Sequence, residues 1–112
     1  MIEEQKDERR RYERYAVRCD CWIEGGDASI FGATADLGLG GVFLRTAVPL
    51  DCGQQVDVAL SPPGQSSRVL ARGIVTRSVR PTRGRRHGVG VEFLDVIDGR
   101  DLLSRMLGRR SV

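Results

Sequence analysis

The sequence predicts an all-β protein with one helix, in which a small six-stranded antiparallel barrel is followed by a C-terminal amphipathic helix. Three observations carry this prediction. Apolar and polar residues alternate in several short segments, glycine-rich turns separate these segments at hairpin spacing, and an apolar stripe with helical spacing lies near the end of the chain. A length of 112 residues fits one domain with its own core.

The first residues differ in composition from all that follow. Residues 1–14 are dense in charge and have no apolar face that could pack, so we expect a flexible arginine-rich arm over 1–14 and the barrel with its helix over 15–112. The same stretch lacks the apolar centre of a secretion signal, and no apolar run is long enough to span a membrane. We therefore expect a cytoplasmic protein without membrane insertion.

The alternation begins at Tyr15 and predicts two strands joined by the turn EGGD. In the first strand the core-facing set is Tyr15, Val17, Cys19, Cys21 and Ile23. In the second strand the core-facing set is predicted to be Phe31, Ala33, Ala35 and Leu37. Thr34 and Asp36 then point outward, which places a carboxylate on the outer surface beside a glycine-rich stretch.

Four further strands complete the predicted barrel. A third strand is expected over 42–46 and a fourth over 55–60. In residues 68–80 the inward set changes face near Gly73, which indicates a bulge, and residues 87–94 form the last strand. The inward residues of the fourth and last strands are Val56, Val58, Leu60, Val89, Val91 and Phe93.

The tail of the chain predicts the helix. Asp98 is expected to cap its beginning, and Gly108 is expected to stop it. Between them the apolar stripe consists of Leu102, Leu103, Met106 and Leu107. This stripe predicts that the helix packs against one end of the barrel.

Reactive side chains are few and isolated. His87 is the only histidine, no carboxylate pair stands out, and the serines are not set in a nucleophile motif, so we expect no enzymatic activity. Cys19 and Cys21 share a strand face, and Cys52 lies in a turn. Because there is no CxxC pair, the pattern favours free thiols over a metal site or a disulfide framework. Neither a metal nor a cofactor is expected.

Positive charge is concentrated in arginine clusters. Lys6 is the only lysine among 18 basic side chains, and arginines gather in 9–14, 83–86 and 109–110. Guanidinium groups form planar, paired hydrogen bonds and stack on rings, which suits the recognition of phosphates and nucleobases. Each cluster could equally belong to a solvated surface. The arginines therefore favour a binding function over an enzymatic one, but they do not identify the ligand.

Two separated motifs together identify a resemblance. RRRYERY contains Arg10 and Arg14 at RxxxR spacing, and DLGLGG at 36–41 has the outline of (D/N)xSxxG. A pair of motifs in this order, ahead of a β-barrel pattern, resembles the PilZ domain, and the resemblance extends from Arg9 to about Leu107. It implies a split-barrel fold and a function as a bacterial receptor for the second messenger cyclic di-GMP.

The resemblance also implies which residues bind the ligand. They are Arg9, Arg10, Arg14, Asp36, Gly38 and Gly41. Cyclic di-GMP carries two phosphates and two guanines, so it needs cations, planar stacking groups and an acceptor for guanine N–H donors, which an arginine arm and an outward carboxylate supply. Gly41 would let a base or ribose approach the backbone. A basic residue before RxxxR, here Arg9, implies up to two nucleotide molecules per chain.

Gly38 departs from the family pattern, which has Ser at this position. Loss of the hydroxyl removes a hydrogen bond worth about 0.5–1.5 kcal/mol, or about three- to tenfold in affinity. Two interpretations stay open: a stand-alone receptor that binds cyclic di-GMP and signals to an effector protein, and a degenerate domain that binds no nucleotide and acts only as a protein adaptor. A nucleic-acid partner is not expected, because aromatic residues for base stacking are few and most are assigned to the core or to strand ends.

Overall fold

Antiparallel strands close into a barrel against which one helix packs. The structure is a computed structural model that describes residues 14–46, 48, 50–79 and 87–111, with side chains as far as Gly108. The elements are β1 Arg14–Tyr15, β2 Asp20–Gly25, β3 Ala28–Gly38, β4 Gly41–Arg45, β5 Gln55–Ser61, β6 Val69–Val79, β7 Gly88–Asp98 and α1 Arg100–Ser111. Among these residues six strands close in the order β3-β2-β5-β6-β7-β4, with β4 pairing back to β3. The predicted six-stranded antiparallel barrel with a C-terminal helix is confirmed.

β1 and β2 are two parts of the predicted first strand, and both pair with β3. β1 places Arg14 opposite Gly38, while β2 pairs with the other half of β3. Between the two parts the buried Thr34 side chain links the strands. Its hydroxyl donates a hydrogen bond to the carbonyl of Val17 and accepts one from the amide of Cys19, with an N–Oγ1 distance of 2.9 Å. Thr34 therefore satisfies backbone groups that the strand ladder leaves unpaired.

The core is formed by alternate strand residues and one face of the helix. The predicted core-facing sets of the first strand, β5 and β7 pack in or against this core, and so does the apolar stripe of α1, in which Met106 is only partly buried. Large, fully buried side chains include Ile23, Leu37, Leu44, Leu60 and Leu103. Burying one such side chain contributes roughly 1.5–3 kcal/mol. Through Leu103 the helix is part of the same core as the strands.

The cysteines are free thiols, as their spacing predicted. Cys19 and Cys21 are buried on the inner face of the barrel, and Cys52 is exposed. Burial raises the pKa of the Cys21 thiol to about 12 and also raises the pKa of Cys19, because a thiolate is poorly solvated among apolar side chains. Both inner thiols therefore stay protonated at neutral pH and pack as small hydrophobic residues.

The predicted core face of β3 is wrong for three residues, Phe31, Ala33 and Ala35. Phe31 is 59% exposed, whereas Ile30 and Thr34 are buried. The cause is a bulge at Ala35, which has no partner in β4 although the residues on both sides of it are paired. The extra residue moves the inward positions from even to odd numbers, so that Leu37 is inward again. Counting back by twos from Leu37 therefore gives the wrong face for the first half of the strand.

The predicted bulge near Gly73 exists, but the change of face lies further along β6. The register shifts at Gly73 because Leu94 is an extra residue in the opposing β7, while the core face of β6 continues to Val75. A second bulge places the extra residue at Thr76, and Arg77 then pairs on the outer side. The change of face therefore lies three residues beyond Gly73, and the pattern could not place it because a bulge leaves no mark in the residue types.

Both predicted ends of the helix are wrong. Asp98 is the last residue of β7, and Gly99 precedes the helix, with φ 86° and a carbonyl that accepts the amide of Leu103 at 2.9 Å. A Cβ at Gly99 would lie 2.5 Å from the carbonyl oxygen of Arg68, so glycine is required there. At the other end the helix continues past Gly108. Within the described residues no helix is both long enough and apolar enough to cross a bilayer.

Thr34→Val tests the link between β1, β2 and β3. The substitution keeps the shape of the side chain but leaves the buried Val17 carbonyl and Cys19 amide without their partner. We expect the free energy of unfolding in urea to fall by about 1–3 kcal/mol. Thr76→Val, the same change at an exposed position, should stay within about 0.5 kcal/mol of the parent. Equal losses in the two variants would contradict the role of Thr34.

Alanine substitutions at Gly99, before the helix, and at Gly108, within it, should have opposite effects on stability. At Gly108 nothing lies within 4 Å of an added Cβ, so Gly108→Ala should stabilise the protein by up to about 1 kcal/mol through helix propensity. Gly99→Ala should destabilise it by about 1–3 kcal/mol, because alanine there combines a positive φ with a clash against Arg68. Thermal unfolding of both variants measures whether each substitution stabilises or destabilises the protein. A stabilising Gly99→Ala would contradict the observed helix start.

Candidate functional site

An ion pair on the outer surface joins two of the residues that the motifs single out. The short strand β1 holds Arg14 opposite Gly38, and the Arg14 guanidinium reaches the Asp36 carboxylate, with an Nη1–Oδ1 distance of 3.6 Å. The Arg14 side chain is 20% exposed and that of Asp36 is 38% exposed. A partly exposed pair at this distance contributes at most about 1 kcal/mol to stability. Its charges are therefore available for exchange with a ligand at small cost to the fold.

One oxygen of the Asp36 carboxylate is buried although the side chain as a whole is not. Oδ1 has almost no exposed surface and accepts no hydrogen bond from any side chain or backbone group in the described part of the chain. The bulge at Ala35 gives Asp36 this position, because it brings Asp36 to the outer face directly opposite Phe43 of β4. The exposed part of the Asp36 side chain, and not this buried oxygen, is the part of the carboxylate that N–H donors of a ligand can reach.

The two glycines of the site lie beside Arg14, because Gly38 is its cross-strand partner and Gly41 lies close to its guanidinium. Gly38 is buried, and its φ is not positive, so other residues could adopt its backbone conformation. Gly41 begins β4, and a Cβ there would collide with the carbonyl oxygen of Val91 and lie 3.4 Å from Arg14 Nη2. Gly41 is therefore required by the close approach of β4 to β7. Its predicted role in leaving room for a nucleotide remains a prediction.

The structure brings four of the six predicted site residues together. Arg14, Asp36, Gly38 and Gly41 form one cluster at the end of β3. Arg9 and Arg10 lie outside the described residues, as do residues 1–13 of the arm predicted over 1–14, whose last residue Arg14 belongs to β1. We call the cluster of these four residues the Arg14–Asp36 site.

Sequence reasoning missed an outer row of residues that begins at this site. Asp36 pairs with Phe43, Phe43 with Gly90, and Gly90 with Arg77, so the row crosses four neighbouring strands. The Arg77 guanidinium carbon lies 5.4 Å from the centroid of the Phe43 ring. The alternation of Gly88 and Gly90 with valine could have indicated this row of residues. Glycines on one face of a strand leave space for a large side chain of the neighbouring strand.

An aromatic pair on the outer surface contradicts the expectation that most aromatic residues occupy the core or strand ends. Trp22 and Phe31 lie on the outer face of β2 and β3 with ring centroids 4.7 Å apart, and the Arg68 guanidinium carbon lies 5.5 Å from the Trp22 ring. The exposed neighbours on these strands and on β5 include Asp20, Glu24 and Asp57. Carboxylates repel a nucleic-acid backbone. That no nucleic acid binds stays a prediction, for which a shortage of aromatic rings on the surface is no longer a reason.

His87 and the cysteines belong to no cluster of metal-ligating side chains in the described part of the chain. His87 is 7% exposed, its carbonyl accepts the amide of Thr46 at 3.1 Å, and its Nε2 has no hydrogen-bond partner among the described residues. In the same part of the chain no three His, Cys, Asp or Glu side chains are close enough to share a metal ion.

Comparison with solved structures shows the same fold in several proteins. The Bacillus subtilis inhibitor of motility MotI/DgrA has a TM-score of 0.75 at 17% identity, over 91% of this chain and 51% of that one. The PilZ domain with c-di-GMP of YcgR from Escherichia coli has a TM-score of 0.65 at 23% identity, over 92% and 94%. The PilZ domain of CeSA from a cellulose-synthesizing bacterium has a TM-score of 0.63 at 16% identity, over 89% and 99%.

These likenesses concern the fold, and the chain spans only about half of the length of MotI/DgrA. No curated protein sequence matches this chain significantly. The family comparison is more informative, because it matches the sequence itself. The model of the PilZ domain matches residues 8–109, which include both motifs, the whole barrel and nearly all of the helix. The chain therefore belongs to the PilZ domain family.

Proposed function

We propose that this PilZ domain binds cyclic di-GMP at the Arg14–Asp36 site and passes the presence of the ligand to a protein partner. The observation that carries the proposal is the cluster itself: a guanidinium and a carboxylate 3.6 Å apart, beside two glycines, on the outer surface of a barrel. The two motifs are far apart in the sequence, and the pairing of β1 with β3 joins them.

The two charged groups match the two kinds of polar group on the ligand. The Arg14 guanidinium offers paired N–H donors to a phosphate or to the O6 and N7 edge of guanine. The Asp36 carboxylate, whose side chain is 38% exposed, accepts from the guanine N–H groups. Gly38 and Gly41 add no side chain that would keep a base away from this pair.

The arginines before β1 extend the site toward the phosphates. Arg10 and Arg9 precede Arg14 by four and five positions, and β1 fixes the chain at the edge of the site. Arg10 would then supply a second phosphate contact, and Arg9 a third cation that lowers the repulsion between two stacked ligand molecules. The proposal therefore includes up to two nucleotides per chain, contacted by Arg9 and Arg10 as well as by Arg14.

Gly38 supports a second candidate function. It stands where the family pattern has Ser, and it is the residue directly opposite Arg14. If the site without this hydroxyl does not hold the ligand, the domain acts as a protein adaptor without nucleotide. The titrations that follow distinguish the two functions.

Titration calorimetry with cyclic di-GMP tests the first function. Arg14→Ala and Arg10→Ala should each weaken binding by about 1.5–3 kcal/mol, or about ten- to hundredfold, because each removes a charged hydrogen bond. Arg105→Ala removes the same charge from an exposed position on α1 and should bind like the parent. The parent should take up two nucleotides per chain and Arg9→Leu one.

The parent protein decides between the two functions. A folded parent that releases no heat with cyclic di-GMP at high micromolar concentration would overturn the receptor proposal and favour the adaptor. Equal weakening by Arg14→Ala and Arg105→Ala would show that binding depends on net charge and not on this site. One nucleotide per parent chain would remove the role given to Arg9 and leave the site in place.

Gly38→Ser tests whether the missing hydroxyl limits affinity. The φ of Gly38 is not positive, so serine causes no backbone strain there. The Gly38→Ser variant should fold and bind about three- to tenfold more tightly. Gly38→Ala is the matched control, because it adds the same Cβ without the hydroxyl. Calorimetry in which serine binds no better than alanine would show that the hydroxyl is not the missing contact.

A further inference from the structure

The aromatic ring of Phe43 lies on the outer surface of the barrel beside the Arg14–Asp36 site. Val42 and Leu44 on either side of it are buried, so Phe43 points outward, where it is partly exposed. Its partner strand carries Gly88 and Gly90 at this place. A Cβ at Gly88 would overlap the Phe43 ring, and a Cβ at Gly90 would lie 3.6 Å from ring atom Cδ1. The two glycines therefore form the bed on which the ring rests.

Arg77 lies over this ring because of the bulge in β6. Val75 faces the core, and strict alternation would turn residue 77 inward as well. The extra residue at Thr76 reverses the face, so that Arg77 pairs with Gly90 on the outer side. From there the guanidinium carbon lies 5.4 Å from the Phe43 centroid, a cation–π contact. A local irregularity of the strand thus aims a planar cation at the ring.

Arg77 lies near enough to the Arg14–Asp36 site to contact the same ligand. Asp36 and Phe43 are direct cross-strand partners, whose Cβ atoms are about 5 Å apart in antiparallel sheets. Arg77 is three strands from Asp36, or about 14 Å along the row. Its long side chain shortens this distance by returning over Phe43. A base whose edge is held by Asp36 therefore lies within reach of the Arg77 guanidinium.

We propose that Phe43 and Arg77 form a stacking surface for a guanine base of the nucleotide bound at the Arg14–Asp36 site. This inference rests on the proposed function and adds a second wall to that site. The base stacks on the Arg77 guanidinium, which Phe43 supports from below. Guanidinium and aromatic planes attract the face of a purine, while the phosphates remain with the arginines before β1.

Calorimetry with cyclic di-GMP on matched variants tests the stacking surface. Arg77→Ala and Arg77→Lys should each weaken binding by about five- to hundredfold, because lysine keeps the charge but has no plane to stack. Phe43→Leu removes the ring that supports the guanidinium and should weaken binding in the same direction. The control is Arg72→Ala, on the same strand and outer face, where Arg72 pairs with Asp57 at 3.6 Å. It should bind within twofold of the parent.

The outcomes separate this inference from the proposal on which it rests. If the parent binds and Arg14→Ala weakens binding, but Arg77→Lys binds as tightly as the parent, the stacking surface is overturned and the Arg14–Asp36 site stands. Equal weakening by Arg77→Ala and Arg72→Ala would also overturn it, because net charge would then be the cause. If the folded parent does not bind cyclic di-GMP, both proposals fall together. Loss in Arg77→Lys with an unchanged salt dependence of affinity supports stacking.

Discussion

The pairing of β3 with three other strands is the constraint on which the rest of this structure depends. β3 pairs with β2 along its first half and with both β1 and β4 along its second half. The pairing with β4 closes the barrel and so removes its open edges. The pairing with β1 brings an arginine from the start of the chain to a carboxylate about twenty residues later. One strand therefore determines both the closed fold and the composition of the candidate site.

Two bulges decide which residues face outward around that site. If β3 continued as a regular strand without the bulge at Ala35, Asp36 would face the core and Leu37 would face outward. If β6 continued as a regular strand without the bulge at Thr76, Arg77 would face the core. Bulges are common where a strand must redirect a side chain. The row from Asp36 through Phe43 to Arg77 exists because the barrel absorbs these irregularities while its inner face stays apolar and filled.

The glycines of this protein serve the fold more than their motif suggests. Gly41 is required by the carbonyl of Val91, Gly88 by the ring of Phe43, and Gly99 by the carbonyl of Arg68. In each case a Cβ would meet an atom of the protein itself. A glycine in a ligand motif can therefore be required by the ligand or by packing within the protein. At Gly41 the packing alone is sufficient to require glycine. At Gly38 no positive φ requires glycine, which leaves the missing serine hydroxyl as the open question of the site.

The sequence by itself determined the number of long strands, the core faces of the first strand, β5 and β7, the apolar stripe of the helix and the two motifs. These depend on local alternation and on residue type, which are readable without a fold. Only the tertiary structure decided the core face of β3, the helix ends and the row that includes Phe43 and Arg77. A bulge adds one residue with no mark in the pattern, and a cross-strand neighbour depends on register, which is set by pairing between distant segments.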